Sequence, residues 1–326
     1  MTLSDRRAHG VGMQRLKDSA VFAFAKLWTL VAHASVWRHT VAMTRQWPNP
    51  VKPVTDVDKF MWRKLFDHNP LFTTACDKLA SKRYALSICP ELKTAEVLWT
   101  GDDPLRIPHQ LLMGHVVIKA NSGCGRNIFV SNGEVDLAQM RKTAAEWMKR
   151  GYGVGKGEWG YRNAAQCLLI ERMLLENGEP IQTEYKFHVY GGNTVHIFIK
   201  LGMGQAGSEK FQLDGDGRVH IAPLDRDGKP VPFHPPPSFD RMRRIAERLA
   251  APFDYMRCDF YELDGDVYFS ELTVYPQSGR AGTNPNLREL RNAAWDLRRS
   301  WFLTSPQTGW RKYYAAALQR WLDPDR

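Results

Sequence analysis

Two strand-like runs, Arg257–Leu263 and Val267–Thr273, flank the turn signal Asp264-Gly265-Asp266. A three-residue loop there pairs Leu263 with Val267 and sets Asp259 directly opposite Glu271. Arg257 and Thr273 share that face by the two-residue period. Opposed carboxylates repel unless a positive group lies between them. Mg2+ takes one or two carboxylates together with substrate phosphates. Asp259 and Glu271, with Thr273 beside them, are therefore candidate magnesium ligands. The other reading is a cross-strand ion pair to Arg257. Ser270 and Thr273 surround Glu271 in an otherwise apolar strand, where an unpaired acid is costly, and this favours the metal.

Three further groups could do chemistry. Lys119-Ala120-Asn121-Ser122-Gly123-Cys124-Gly125-Arg126 joins a buried strand to a second strand. Glycines admit close approach of an anion, and successive N–H groups can cradle phosphate beside the Lys119 charge. This is not a Walker loop, since GxxxxGK[ST] is missing and no helix follows. A plain glycine turn with a surface lysine is the alternative. Glu171 ends the apolar run Gln166–Ile170, where a carboxylate can accept from an adenine amino group; a simple strand-end acid reads the same way. Glu184, Lys186 and His188 alternate onto one strand face, which suits a phosphate or carboxylate, or a solvated Glu–Lys pair.

Other elements must position these groups. Phe24, Leu27, Trp28, Leu30, Val31, Ala34 and Trp37 predict a helix over 12–46, ended by Pro48, Pro50 and Pro53. That helix either packs on the following domain or lies on an anionic membrane surface. Further helices are predicted over Asp56–Asp67, Leu71–Ser81, Asp136–Arg150 and Ser238–Leu249, with Ser238 as cap. Two more close the chain, about 287–302 and 311–322. Strands are predicted at His115–Lys119, Ile128–Val130, Gln166–Leu174, Thr183–Tyr190 and Thr194–Leu201, the last two as a hairpin around Gly191-Gly192-Asn193. The class is α+β, with antiparallel sheets rather than alternating βα units.

The composition sets the limits. With 326 residues, 43% hydrophobic and 25% charged, the chain is an ordinary globular protein of about two domains. Five scattered cysteines without CxxC spacing argue against a disulfide framework or zinc site and for a reducing cytoplasm. The net charge is +10, but residues 56–287 carry 29 charges of each sign. Residues 1–55 hold eight Lys/Arg against two Asp/Glu, so the basicity lies at the ends. A central nucleic-acid groove is not expected. The polar first twenty residues do not read as a secretory signal, and Lys26 and His33 interrupt the apolar stretch Ala20–Trp37.

Taken in order, these segments resemble the TupA-like family of the ATP-grasp superfamily, named for teichuronopeptide biosynthesis. The matching words are Lys64–Thr74, Cys76-Asp77-Lys78, Val117–Gly125, Glu158–Tyr161, Ile170-Glu171, Tyr185-Lys186-Phe187 and Phe269–Gly279. They cover about residues 56–286, leaving a basic helical extension over 1–55 and C-terminal helices over 287–326. The resemblance implies an ATP-grasp fold, two α+β subdomains sandwiching ATP, and ATP and Mg2+ as cofactors. It implies that Lys78 and Lys119 are the two ATP-grasp lysines and that Asn121, Ser122, Gly123 and Gly125 close over the triphosphate. Glu171 becomes the hinge acid for adenine and Lys186 the base facing the transferred phosphate, with Arg257 the other candidate catalytic cation. Asp259 and Glu271 become the magnesium carboxylates. Thr273 stands where many ATP-grasp enzymes have Asn, and Cys124 where the loop usually has a small residue. The implied activity is a carboxylate–amine ligase working through an acylphosphate on small-molecule or glycan substrates, in cell-surface polysaccharide modification. A kinase acting on a hydroxyl and a non-enzymatic glycan- or partner-binding relative are the alternatives. The expected location is cytoplasmic, with peripheral contact at the inner membrane face through the N-terminal helix.

Overall fold

The computed structural model describes residues 3–149, 151–153, 155–202, 209–280 and 284–323. It opens with helices α1 (Leu3–Ala32), α2 (Ala34–Thr44), α3 (Asp56–Leu65), α4 (Leu71–Cys76) and α5 (Lys78–Ile88). Strands β1 (Lys93–Thr94) and β2 (Val97–Gly101) and helix α6 (His109–Leu112) lead to β3 (Val116–Ala120), β4 (Asn127–Val130) and α7 (Leu137–Lys149). The expected end of α7 at Arg150 lies outside the described residues. Next come β5 (Leu168–Arg172), β6 (Leu175–Glu176), β7 (Glu179–Pro180), β8 (Glu184–Tyr190), β9 (Asn193–Lys200), β10 (Lys210–Asp214) and β11 (Val219–Ile221). The chain ends with α8 (Phe239–Ala250), β12 (Tyr255–Leu263), β13 (Asp266–Thr273), α9 (Pro285–Ala294), α10 (Trp301–Thr304) and α11 (Trp310–Leu322).

Two sheets frame the site. A seven-stranded sheet has the order β1-β13-β12-β8-β9-β10-β11, antiparallel except for β1, and a four-stranded antiparallel sheet has the order β2-β5-β3-β4. Alternation gives the larger sheet two unlike faces. One carries Phe187, Ile197, Leu213 and Cys258, packed on Met242, Ile245 and Leu249 of α8. The opposite face carries the polar site residues.

Several expected boundaries moved for local reasons. The predicted helix over 71–81 breaks at Asp77, which is extended and bridges to Ser122. Asp77 Oδ1 then caps α5 by accepting from Ala80 N at 2.8 Å, and Oδ2 accepts from Ala165 N at 2.9 Å. One carboxylate thus starts a helix and ties it to two loops. The predicted 12–46 helix bends by 87° at His33. The predicted 287–302 helix stops at Ala294, where Lys59 Nζ donates to the carbonyls of Asn292 and Trp295 at 2.7 and 2.8 Å. Ser238 precedes α8, but its buried hydroxyl makes no hydrogen bond among the described residues, so the expected side-chain cap does not form.

Helix α1 meets the protein with one face and leaves another open. Phe22, Ala25 and Thr29 are buried, whereas Phe24, Leu27 and Val31 are exposed. Phe22, Val36 and Trp37 share a core with Trp62 and Phe66 of the α3 region and Tyr314 and Leu318 of α11. Helix α3 is buried along its whole length, and its polar side chains find partners: Arg63 pairs with Asp254 at 2.5 Å, and Asp254 accepts from Trp295 Nε1 at 2.7 Å.

Candidate active site

The hairpin β12–β13 delivers the acidic pair by a route the sequence reading did not foresee. Its turn has two residues, Asp264 and Gly265 at φ +54° and +80°, so Leu263 pairs with Asp266 rather than Val267. A bulge then inserts one extra residue at Ser270, and from there Asp259 does stand opposite Glu271 and Arg257 opposite Thr273. The bulge also settles which way Glu271 faces. Strict alternation from Phe269 would turn it toward α8; the extra residue lets Phe269 and Leu272 both enter the core while Glu271 takes the opposite face.

Asp259 is wholly buried between two cations. Arg257 donates to both its oxygens at 2.7 and 2.6 Å, and Lys186 Nζ donates to Oδ2 at 2.8 Å. Burial pushes the Asp259 pKa up, but Arg257 and Lys186 outweigh it and hold it below the usual value. Lys186 also pairs with buried Glu184, so the alternating strand face is a buried charge network and not a solvated one. Burial opposes the Lys186 charge, yet Asp259 and Glu184 keep its pKa raised. Glu271 is different: its side chain is 29% exposed. Oε1 accepts from Arg257 at 3.2 Å and from Thr273 Oγ1 at 3.0 Å.

These donors define how magnesium would fit. Among the described residues no group of three or more His, Cys, Asp or Glu is placed to hold a metal by itself. Among the described residues no hydrogen bond reaches Glu271 Oε2, and a hard cation completed by phosphate oxygens matches that open carboxylate oxygen. Asp259 Oδ1 accepts once and Oδ2 twice, so a metal at Asp259 would share the carboxylate with Arg257 and Lys186. Thr273 Oγ1 donates to Glu271 Oε1 and orients it, and its oxygen lone pairs stay available for the third-ligand role expected of it.

The second half of the site lies on the four-stranded sheet. Lys119 Nζ donates to Glu171 Oε2 at 2.6 Å, and Lys82 Nζ meets Oε1 at 2.8 Å. Burial works against ionisation of Glu171, but Lys119 and Lys82 lower its pKa overall. Glu171 therefore sets the Lys119 ammonium in place. The sequence reading missed Lys82, although it sits one helical turn after Lys78 on α5. Lys78 Nζ donates to Ala120 O and Gly123 O at 3.0 and 2.6 Å, bracing the glycine turn from behind.

The turn itself is tightly specified. Asn121 is fully buried and both ends of its amide are used: Nδ2 donates to Ala165 O and Oδ1 accepts from Leu79 N, each at 2.9 Å. It is a brace for the loop, not an open phosphate contact as expected. Ser122 Oγ is buried without a partner among the described residues. Gly123 has φ +113°, and a Cβ there would lie 2.8 Å from the Tyr152 ring; Gly125, at φ +70°, faces open space.

Two cavities flank these residues. One of about 440 Å3 lies between the sheets, lined by Lys82, Lys119 and Glu171 on one side and Tyr261, Phe269 and the bulge residue Ser270 on the other. Another of about 420 Å3 lies on the polar face of the larger sheet and includes Lys186 and Arg257. Both are of ligand size.

The family model described as TupA-like ATPgrasp matches residues 58–290, well over half the chain. A comparison with curated proteins found no match. Among solved structures, the chain is similar to D-alanine–D-alanine ligase from Bacillus anthracis complexed with ATP: 15% identity, 61% of this chain and 53% of that chain covered, TM-score 0.37. It is similar to the ATP-grasp ligase PsnB complexed with minimal precursor, at 10% identity, with 82% and 67% covered and a TM-score of 0.39. A third is the ADP complex of purK, N5-carboxyaminoimidazole ribonucleotide synthetase, at 12% identity, 76% and 52% covered, TM-score 0.41. The chain spans about half the length of the first and third of these proteins. With an α+β architecture and the Lys78, Lys119, Asp259 and Glu271 words inside the matched region, the chain belongs to the TupA-like ATP-grasp family.

Proposed function

We propose that this chain is an ATP-dependent ligase that activates a carboxylate as an acylphosphate and passes the acyl group to an amine, in cell-surface polysaccharide modification. The observation that carries the reading is a ligand-sized cavity between the sheets at Lys119 and Glu171 beside a second on the face of the larger sheet at Lys186 and Arg257, the cations that hold Asp259. The cavity between the sheets takes ATP, with Lys119 at its phosphates. The cavity on the sheet face takes the acid. A carboxylate oxygen of the acid attacks the γ-phosphorus and ADP leaves. The amine nitrogen then attacks the carbonyl carbon, inorganic phosphate leaves, and the amine proton passes to solvent.

This chain's residues have distinct parts in those steps. Lys186 and Arg257 stand where charge builds on the transferring phosphoryl group, and Glu184 and Asp259 keep both cations charged and fixed. Lys78 holds the glycine turn in shape, so its closure excludes water from the labile acylphosphate. Magnesium, when bound, supplies a Lewis acid for the phosphate oxygens, and Glu271 with Asp259 behind it would hold it. The polysaccharide setting rests on the family name. The outer face of α1 fits the same setting, because an enzyme modifying lipid-linked glycans works at an anionic bilayer.

Hydroxylamine trapping tests the reaction class. With ATP, Mg2+ and an extract fraction supplying the acid, but no amine, a hydroxamate is expected together with ADP and phosphate. A stable phosphoester and no hydroxamate would make the chain a kinase.

A further inference from the structure

The cavity on the polar face of the seven-stranded sheet holds more positive charge than the reaction needs. Strand pairing lays its residues in rows. One row runs Gln212, Phe198, Lys186, Asp259 and Glu271; the row beside it runs Lys210, Lys200 and Glu184. In the first row Asp259 balances Lys186. In the second, Glu184 turns to Lys186 and does not pair with Lys200 across from it. Lys200 and Lys210 stand directly opposite each other, and neither forms an ion pair among the described residues. Like charges directly opposed across a ladder are destabilising, so an anion bound between half-buried Lys200 and exposed Lys210 relieves the repulsion. Arg280 adds a third cation to the lining, also without an ion pair among the described residues. The one acidic lining residue, Asp56, is already paired with Arg291 at 3.2 Å.

A second observation points to a ligand. His196 lines the same cavity and is 4% exposed; among the described residues the Gln212 side chain is the one hydrogen-bonding group set beside its ring, which leaves a ring nitrogen unmet. Burial, with Arg291 adding to it, pushes its pKa down to about 3, so the ring is neutral and can serve a hydroxyl as donor or acceptor. A buried ring nitrogen without a partner costs free energy that a bound polar molecule recovers.

We propose that this cavity binds the acid to be activated, and that Lys200 and Lys210 hold a second anionic group on it, so the substrate is a hydroxylated molecule with at least two anionic groups. This rests on the ligase reading. The reacting carboxylate lies at Lys186 and Arg257. The second anion lies one diagonal step along the sheet, about 7–8 Å away between backbone positions. A second carboxylate and a phosphate both suit the lysine pair.

The test measures binding to the full chain by calorimetry, without turnover. The probes are digalacturonate, with two carboxylates; 6-phosphogluconate, with a carboxylate and a phosphate; gluconate, with one carboxylate; and neutral maltose. At least one of the two dianions is expected to bind at least tenfold tighter than gluconate, and which one does so identifies the second group. Lys200→Ala/Lys210→Ala is expected to abolish that tenfold preference while ADP affinity stays unchanged, since neither lysine touches the nucleotide cavity. Failure of both dianions to exceed gluconate, maltose binding as tightly as either, or full dianion preference in the double variant overturns the proposal. The ligase reading fails separately: if ADP does not bind while the lysine-dependent dianion preference persists, the subsite stands and the nucleotide assignment falls.

Discussion

Asp259 and Glu271 read as equivalent acids in the sequence, but burial separates them. Asp259 neutralises two buried cations, so Asp259→Asn leaves Lys186 and Arg257 without a full counter-charge in a dry site. A loss of about 3–5 kcal/mol of stability is expected, as when one member of a buried ion pair is removed. Glu271 is part-exposed and its Oε2 is open, so Glu271→Gln is expected to abolish turnover with stability changed by less than about 0.5 kcal/mol. Denaturant melts and single-turnover assays on the two variants separate these outcomes. Equal destabilisation of both, or turnover surviving in Glu271→Gln, would remove Glu271 as the metal carboxylate. The residue types and their order were legible in the sequence because a charge inside an apolar strand needs a reason. Which charges pair was not legible: Lys82 reaches Glu171 and Glu184 reaches Lys186 only after helix and strand are placed in three dimensions.

At the scale of elements, the hairpin shows how a correct pairing can follow from an incorrect turn. A two-residue turn shifts the register by one, and the bulge at Ser270 shifts it back. Period-two patterning gives no separate signal for each, because only their difference reaches Glu271. The breaks at His33 and Asp77 were hidden for a related reason. Helical periodicity continues through both, and what stops the helix at Asp77 is a bridge to Ser122, 45 residues away in sequence. The glycine turn allows a direct test of element geometry. Gly123→Ala must strain a φ of +113° and move the Tyr152 ring, whereas Gly125→Ala, at φ +70°, meets no neighbour. The first is expected to weaken ATP binding at least tenfold more than the second, read by calorimetry. Equal effects would mean that the turn's shape does not set the phosphate site.

At the scale of the whole molecule, the N-terminal helices bury one face and leave another open. Removing residues 1–50 would expose the core that Phe22, Val36 and Trp37 share with Trp62 and Tyr314, so truncation is a poor probe of what the outer face does. That outer face carries Met13, Leu16, Phe24, Leu27 and Val31, all at least 49% exposed and spaced to fall on one side of α1. Lys17 borders the stripe, and the segment's net charge is positive. Among the described residues no single helix is long and apolar enough to cross a membrane. An apolar stripe bordered by Lys17 instead suits a helix lying in the plane of an anionic bilayer, a nearby basic residue adding roughly 1 kcal/mol that salt screens. The full chain is expected to co-sediment with vesicles containing phosphatidylglycerol, less so at 0.5 M salt than at roughly 0.1 M, where the screening length is near 10 Å. The triple variant Leu16→Glu/Leu27→Glu/Val31→Glu is expected to stay in the supernatant. Its melting temperature should hold, since those side chains are already in water. A variant that still sediments, or a wild-type chain that ignores the vesicles at both salt concentrations, would leave α1 as a buttress for α11 and the α3 region alone.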